Sequence, residues 1–477
     1  MKKRWLISII LVSMMMASVG TYSAMKWIEK TAGAEEKQYY RSELDEKLSK
    51  VERAYQLIVE QYVEKVDPEK LIEGAVEGMI NTLDDPYSVY LDRERAEQFN
   101  SSLESSFEGI GAEITQTDGK IIIVAPFKNS PAEKAGLKPH DEIIKVDGEK
   151  VSNMDLYDVM GKIRGEKGTK VRLEILREGV KEPLVFEVER DKIPIETVFS
   201  KVLNSGDKKI GYIEITSFSR DTGKDFREQL RKLEAEPIDG LIIDVRGNPG
   251  GLLSTAEEIA NELVPNEKPF VQIANKDGKS EKLYTRLKEK KPYPMVLLAD
   301  RGSASASEVL AAALKEASGA KIFGETTFGK GTVQQQIELD GESHLKLTTY
   351  KWLTPDGNWI HKEGIKPDVV VMQKELYRLH PVQADTVLKR DMNNEQIGYA
   401  QRILKSLGYE PGRLDGYFDE KMEISVKAFQ KSNDLPVTGV IDEETIRVME
   451  QRVKEEMEKP ENDLQLQAAL KYFEYGK

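Results

Sequence analysis

"PMVLLADRGSASASEVLAAALKEA", Pro294 to Ala317, changes character twice. Met295 to Ala299 is an unbroken apolar run, short enough for a strand buried on both faces. Asp300, Gly302 and Ser303 turn the chain, and an alanine-rich segment from Ala306 reads as a helix. A buried strand turning directly into a helix is the repeating unit of a layered α/β core. The same alternation extends outward. "KIGYIEI" (209–215) and "DGLIIDVRG" (239–247) are strands, each trailed by a helical or loop segment. An α/β domain over 191–385 is the expectation.

The 477 residues suffice for about three domains with real cores. A net charge of −13 argues against nucleic acid as the main partner, because phosphate binding needs a basic face. With no cysteine there is no disulfide, thiol nucleophile or thiolate zinc site. The four histidines (His140, His344, His361 and His380) are far apart and lack an HExxH spacing, so no metal or other cofactor is expected. At the N-terminus "MKKR" precedes an uncharged run from Trp5 to Met25, about the length that crosses a bilayer. The basic residues keep that end cytoplasmic, which places the rest outside. Residues 1–28 are expected to be a signal anchor in the membrane or a cleaved signal peptide, with Ala32-Gly33-Ala34 as a candidate cleavage site. The working part is extracytoplasmic in either case.

Leu44, Leu48, Val51, Tyr55, Ile58 and Tyr62 recur at alternating gaps of four and three, a heptad-like stripe within a helical region, 38–100. It serves either packing on its own domain or a homodimer seam. A second helix runs through Ala75, Val76, Met79 and Ile80.

"GETTFGKGT" (324–332) resembles a phosphate-binding loop up to Lys330. Such a loop requires Ser or Thr after the lysine, then a helix facing the phosphates. Here Gly331 follows, and "TVQQQIEL" alternates with the period of a strand. That disfavours a nucleotide and leaves Lys330 for proton transfer. A serine on the tight turn after Ala299 is pushed out beside helix-terminal N–H groups, which suits a nucleophile next to an oxyanion site. The competing reading of Ser303, Ser305 and Ser307 is helix capping. Burial can lower a lysine's pKa enough for it to act as base. Lys330, between two glycines, can tuck against a neighbouring strand, and Lys330, Thr332 and Gln334 are expected on one strand face, so that Gln334 orients the amine. The glycine-rich turn in "DVRGNPGG" (244–251) is either an oxyanion donor or a plain strand-to-helix connection.

Three resemblances organise these readings. "SPAEKAGL" followed by "DEIIKVDG" resembles a PDZ domain, assigned to 105–190. In such domains the loop Gly109-Ile110-Gly111-Ala112 supplies N–H groups to a peptide's terminal carboxylate, and the peptide adds as a strand. "AQRILKSLGYEPGRLDGYFDEKMEISVKAFQKSNDLPVTGVID" resembles a peptidoglycan-binding domain, assigned to 391–452. Its alternative is a helical spacer. "NDLQLQAALKYFEY" looks like a closing helix of the α/β domain, within 460–477.

Together with "LDDPYSVYL", "GSASASE" and "GETTFGKGTVQ", the order resembles the carboxyl-terminal processing proteases, Ser/Lys peptidases with a crotonase-like core. The resemblance implies Ser305 as nucleophile, Lys330 as general base, Gln334 as the orienting residue, and Gly251 and Ala306 as oxyanion donors. Ser303, Ser307, Asp244, Glu308 and His361 are then structural. It further implies protein substrates with exposed C-terminal tails, a homodimer, and a PDZ domain that gates the core. Arg164 is a candidate for sensing the bound carboxylate, against a plain surface role. The rival function is a non-catalytic cell-wall adaptor.

Overall fold

The computed structural model describes residues 47–475, apart from 118, 128, 153, 178, 179, 181, 342 and 385. The leader and Leu44 lie outside the described residues, among which no helix is long and apolar enough to cross a membrane. The chain divides into two units, Met1–Tyr90 and Leu91–Lys477.

In the first unit residues 47–61 are helical, and Leu48, Val51, Ile58 and Tyr62 of the heptad stripe are exposed. A second helix, Pro68–Asn81, starts where Asp67 accepts the Glu69 N–H and proline fills the first turn.

In the second unit the PDZ sheet runs Ala112–Thr117, Lys120–Pro126, Glu142–Val146, Lys170–Leu176 and Leu184–Glu189 in hydrogen-bonded order, with Glu149–Lys150 paired to the third strand. Alternate residues such as Ile121, Ile123, Leu173 and Ile175 fill its core. "SPAEKAG" forms a one-turn helix with both ends signalled locally. Ser130 Oγ accepts the Glu133 N–H at 3.1 Å, Pro131 follows, and Gly136 at φ 90° stops it. His140 adopts φ 67°, a left-handed turn conformation that costs a β-carbon residue strain.

The central sheet of the core has the order Val198–Ser205, Lys208–Ile215, Gly240–Asp244, Met295–Ala299, Lys321–Gly324 and Val369–Val370. Only the first strand is antiparallel to its neighbour. Every residue of Gly240–Asp244 and Met295–Ala299 is buried, as strands covered on both faces must be. Helices Thr222–Glu234, Leu253–Leu263 and Ala306–Ala313 contribute to the main core. The other cluster joins Ile242, Val296 and Leu298 to Leu466, Ala469 and Phe473 of the helix Leu464–Tyr475. A β-carbon on Gly240 would lie 2.4 Å from the Phe473 ring, so the bare glycine lets this helix settle on the sheet. A second, antiparallel sheet includes Thr332–Glu338, His344–Leu353, Val271–Ala274 and Ser280–Leu283. The helices Glu395–Ser406, Glu420–Ser432 and Glu443–Met457 form their own cluster around Phe418, Val426 and Phe429, inserted before the closing helix.

Arg246 locks that helix in place. Its guanidinium donates to Asp463 Oδ1 and Oδ2, each at 2.8 Å, and to Asp244 Oδ1 at 2.9 Å. Asp463 also accepts the Leu466 N–H at 2.9 Å, capping the closing helix. Burial pushes the Asp463 carboxyl up, but the hydrogen bonds and charge of Arg246 outweigh it and hold it below the usual carboxylate range. A depressed folded pKa stabilises above the unfolded value and is lost as pH falls through the folded one. Asp463→Asn is therefore expected to cost about 3 kcal/mol at neutral pH, because it leaves a largely shielded guanidinium partly unpaired. In urea titrations the deficit relative to the parent should shrink below about pH 4. A deficit that stays constant down to pH 3 would contradict this.

Candidate active site

The turn after Met295–Ala299 is knotted by one carboxylate. Asp300 Oδ1 accepts the N–H groups of Gly302 (2.9 Å), Ser303 (3.1 Å) and Gly247 (2.8 Å). Ser303 Oγ donates to the Val245 carbonyl at 2.7 Å and Ser307 Oγ to that of Asn248 at 2.9 Å, and both serines are fully buried. The outer serines thus stitch this turn to the glycine-rich one. Ser305 between them occupies the N-cap position of Ala306–Ala313 and borders a cavity of about 330 Å³. Its φ of 55° is a strained value for a residue with a β-carbon.

Buried Asn248 shapes the glycine-rich turn, donating to the Ile215 carbonyl at 2.7 Å and accepting the Gly250 N–H at 2.8 Å. The Phe218 N–H then bonds the Gly250 carbonyl at 3.0 Å, and the Leu252 N–H bonds the Phe218 carbonyl at 2.8 Å. That parallel bridge turns the N–H of Gly251 to the opposite side. No other residue fits at Gly251, which has φ 143°, since a β-carbon would lie 2.3 Å from the Phe218 oxygen. Ala306 is the first helical residue, and such an N–H has no acceptor within its own helix.

Glu308 joins the serine to the lysine. Its Oε2 accepts the N–H of Ser305 at 2.9 Å and of Lys330 at 2.8 Å; its Oε1 accepts Thr327 Oγ1 at 2.6 Å and the Gly329 N–H at 2.7 Å. The side chain is fully buried, with these four donors around its two oxygens. These hydrogen bonds offset the loss of its hydration.

Lys330 is half-buried and borders the same cavity as Ser305. One expectation about its surroundings needs correction. It is not part of the strand, which begins at Thr332, and a register shift between Val333 and Gln334 breaks simple alternation. Lys330, Thr332, Val333 and Gln334 consequently all border the cavity. The flanking glycines do let the segment tuck against a neighbouring strand: Trp352, on His344–Leu353, donates its N–H to the Gly331 carbonyl at 3.2 Å and its Nε1–H to that of Lys330 at 2.7 Å. They also pack on the following loop, where a β-carbon on Gly331 would lie 2.8 Å from His361 N, and one on Gly329 3.0 Å from Glu363 N. Gln334 Nε2 donates to Thr332 Oγ1 and Thr348 Oγ1, both at 3.0 Å.

The cavity therefore collects Ser305, Lys330, Gln334, Gly251 and Ala306. Asp244 and His361 do not border it; Asp244 holds Arg246 and the Tyr212 hydroxyl, and His361 stacks on Trp359 at 5.1 Å between ring centroids. Phe99 and Leu103, four apart on the helix Arg93–Leu103, complete one wall, and Lys346 reaches in from His344–Leu353. The sequence reading missed all three, since nothing local marks them.

A second groove, about 220 Å³, is bordered by Gly109, Ile110, Gly111, Ala112 and Arg164. The carbonyls of Ile110 and Gly111 are taken by the N–H groups of Ala132 and Phe127, at 2.8 and 2.9 Å. Gly111 has φ 72°, and a β-carbon there would strike Ser130. Arg164 is exposed, with its guanidinium 5.2 Å from the Phe107 ring centroid.

Residues 209–371 match Peptidase family S41. Residues 14–95 match the activating protease CtpB N-terminal domain, 122–177 a PDZ domain and 393–449 a peptidoglycan binding domain. The chain is 50% identical over 463 residues to the carboxy-terminal processing protease CtpB of Bacillus subtilis, covering 96% of each. It is 42% identical to CtpA of the same organism, over 89% of this chain and 90% of the relative. Among solved structures a photosystem II D1 C-terminal processing protease is 30% identical, with 66% of this chain and 85% of that one covered at a TM-score of 0.42.

Glu308→Gln would place an amide N–H against backbone donors and leave buried groups unmatched, at about 1–3 kcal/mol each. Peptidase assays are expected to show kcat down about 100-fold through misplacement of the reacting groups. Circular dichroism should still report a folded chain with a lowered Tm. Full activity would show that the clamp is dispensable.

Proposed function

The chain belongs to the S41 peptidases as a carboxy-terminal processing protease with a PDZ domain, and from that we propose that Ser305, Lys330 and Gln334 carry the reaction. One observation carries this reading: a single buried carboxylate, Glu308, holds the backbones of Ser305 and Lys330 beside one cavity, at 2.9 and 2.8 Å. Lys330 as the free amine takes the Ser305 proton while Oγ attacks the scissile carbonyl. The resulting ammonium returns the proton to the departing amine, and a water activated by Lys330 then hydrolyses the acyl-enzyme. Both Nε2 protons of Gln334 are committed to threonine hydroxyls, so its Oε1 is the group available to accept from the amine. The N–H groups of Gly251 and Ala306 meet the oxyanion.

The substrate is a protein whose C-terminal tail enters the PDZ groove. The tail adds along Ala112–Thr117, an edge strand, and its carboxylate meets the Gly109–Ala112 loop. Arg164, beside that loop, reads the carboxylate and reports occupancy. We further propose an extracytoplasmic enzyme, membrane-anchored or secreted, that trims envelope or signalling proteins in regulated fashion. The three-helix module would hold it to peptidoglycan. The exposed stripe from Leu48 to Tyr62 would pair with a second copy of the chain.

Ser305→Ala and Lys330→Met are each expected to lower cleavage of unfolded casein at least about 1,000-fold without unfolding the protein. Casein cleavage that survives Ser305→Ala would remove the assignment. Arg164→Ala is expected to abolish stimulation by a tail peptide while leaving peptide binding measurable. Unchanged stimulation would reduce Arg164 to a surface residue. Sedimentation of a chain lacking residues 44–62 should give a monomer, and a mass ratio equal to that of the full chain would refute the seam.

A further inference from the structure

The cavity at Ser305 contains a second lysine that the reaction does not use. Lys346 lies on the strand His344–Leu353, paired with Gln336, and both border the cavity. The next pair on that face is Thr348 with Gln334, the proposed orienting residue. One such step along a strand is about 7 Å, so Lys346 stands roughly that far beyond Gln334.

Its ammonium has an unusual environment. The side chain is half-buried, and Nζ lies 4.5 Å from the centroid of Phe99, on the helix Arg93–Leu103. Among the described residues no carboxylate is within ion-pair distance of it. Two other half-buried lysines have such a partner: Lys291 meets Glu234 at 2.7 Å, and Lys145 meets Glu174 at 2.7 Å. Burial alone pushes the Lys346 ammonium down from its ordinary pKa. An aromatic face is a weaker counterpart than a carboxylate, and Leu103, Leu252 and Val333 make the remaining wall largely apolar. A cation desolvated at a site the substrate must enter, with no carboxylate partner among the described residues, is placed to meet an anion brought by that substrate.

We propose that Lys346 is a specificity determinant that binds a carboxylate of the substrate within about three residues of the bond cut at Ser305, the reach set by the ~3.3 Å rise of an extended chain. The inference rests on Ser305 and Lys330 being the reacting pair. A carboxylate can come from an Asp or Glu side chain or from the substrate's free C-terminus.

The test uses the full chain and a family of peptides built on one cleaved sequence. Each position within three residues of the cut is varied as Glu, Gln or Lys, and each peptide is made with a free and an amidated C-terminus. The wild-type enzyme should favour Glu over Gln by about tenfold in kcat/KM at one position, or the free over the amidated terminus by a similar factor. The position or terminus that responds identifies the source. Lys346→Met should bring that ratio to about one, Lys346→Arg should keep it, and Lys346→Glu should reverse it in favour of Lys. A role limited to packing the stem on Phe99 would leave the ratio unchanged in Lys346→Met, which would overturn the proposal. A wild-type enzyme indifferent to carboxylates at every position and at the terminus would overturn it without any variant. Cleavage that persists in Ser305→Ala would overturn the catalytic reading and this inference with it.

Discussion

A buried carboxylate ringed by hydrogen-bond donors holds the active site together. Leaving Glu308 in the interior uncompensated would cost several kcal/mol, so its position is tenable only while hydrogen-bond donors surround it. Those donors come from two segments: the turn that presents Ser305 and the glycine-flanked loop that presents Lys330. Folding the core and bringing Ser305 and Lys330 to one cavity are thereby one event. A misplaced loop would leave both a carboxylate and several N–H groups unmatched, which makes intermediate arrangements unfavourable.

The glycine-rich stretch that follows Gly240–Asp244 serves two masters. Toward the closing helix, Arg246 reaches Asp463, and toward the cavity Asn248 shapes the turn that turns the Gly251 N–H inward. Ser303 and Ser307 hold its carbonyls from the other side. Four residues, 247–250, therefore separate Arg246, which the closing helix contacts, from Gly251, which borders the cavity. The three-helix module is inserted between the core strands and that helix, so its addition leaves the clamp's geometry a property of the core alone.

Much of this was legible in the sequence because it is local. The apolar run before Asp300, the Ser-Pro start and glycine stop of the short PDZ helix, and the 3.6-residue pattern of the closing helix each carry their own cause. The position of Lys330 was harder. Strand alternation predicts one face for Lys330, Thr332 and Gln334, but the strand begins at Thr332 and shifts register after Val333, and neither event has a local marker. Glu308 reads as an ordinary first-turn acid, favoured there by the helix dipole; its four donors include three residues around position 328 that only the tertiary fold brings near. Phe99 and Lys346 were invisible for the same reason, each being a surface-like residue on its own element.

The two grooves share a wall segment. Phe99 and Leu103 border the Ser305 cavity, while Phe107 and Gly109, a few residues on, border the PDZ groove beside Arg164. Between them Ser105 accepts the Asp221 N–H at 2.6 Å through its hydroxyl and the Ile195 N–H at 2.8 Å through its carbonyl, and the Leu103 carbonyl accepts from Arg220 N. The stretch is thus pinned to the core at its middle and exposed to ligand at one end. A gate requires an element with two arrangements that both sites bias. The tail proposed to add along Ala112–Thr117 would act at one end of this segment and the cavity wall is its other end, so a connection between the two sites would run through backbone and need no chain of side-chain contacts.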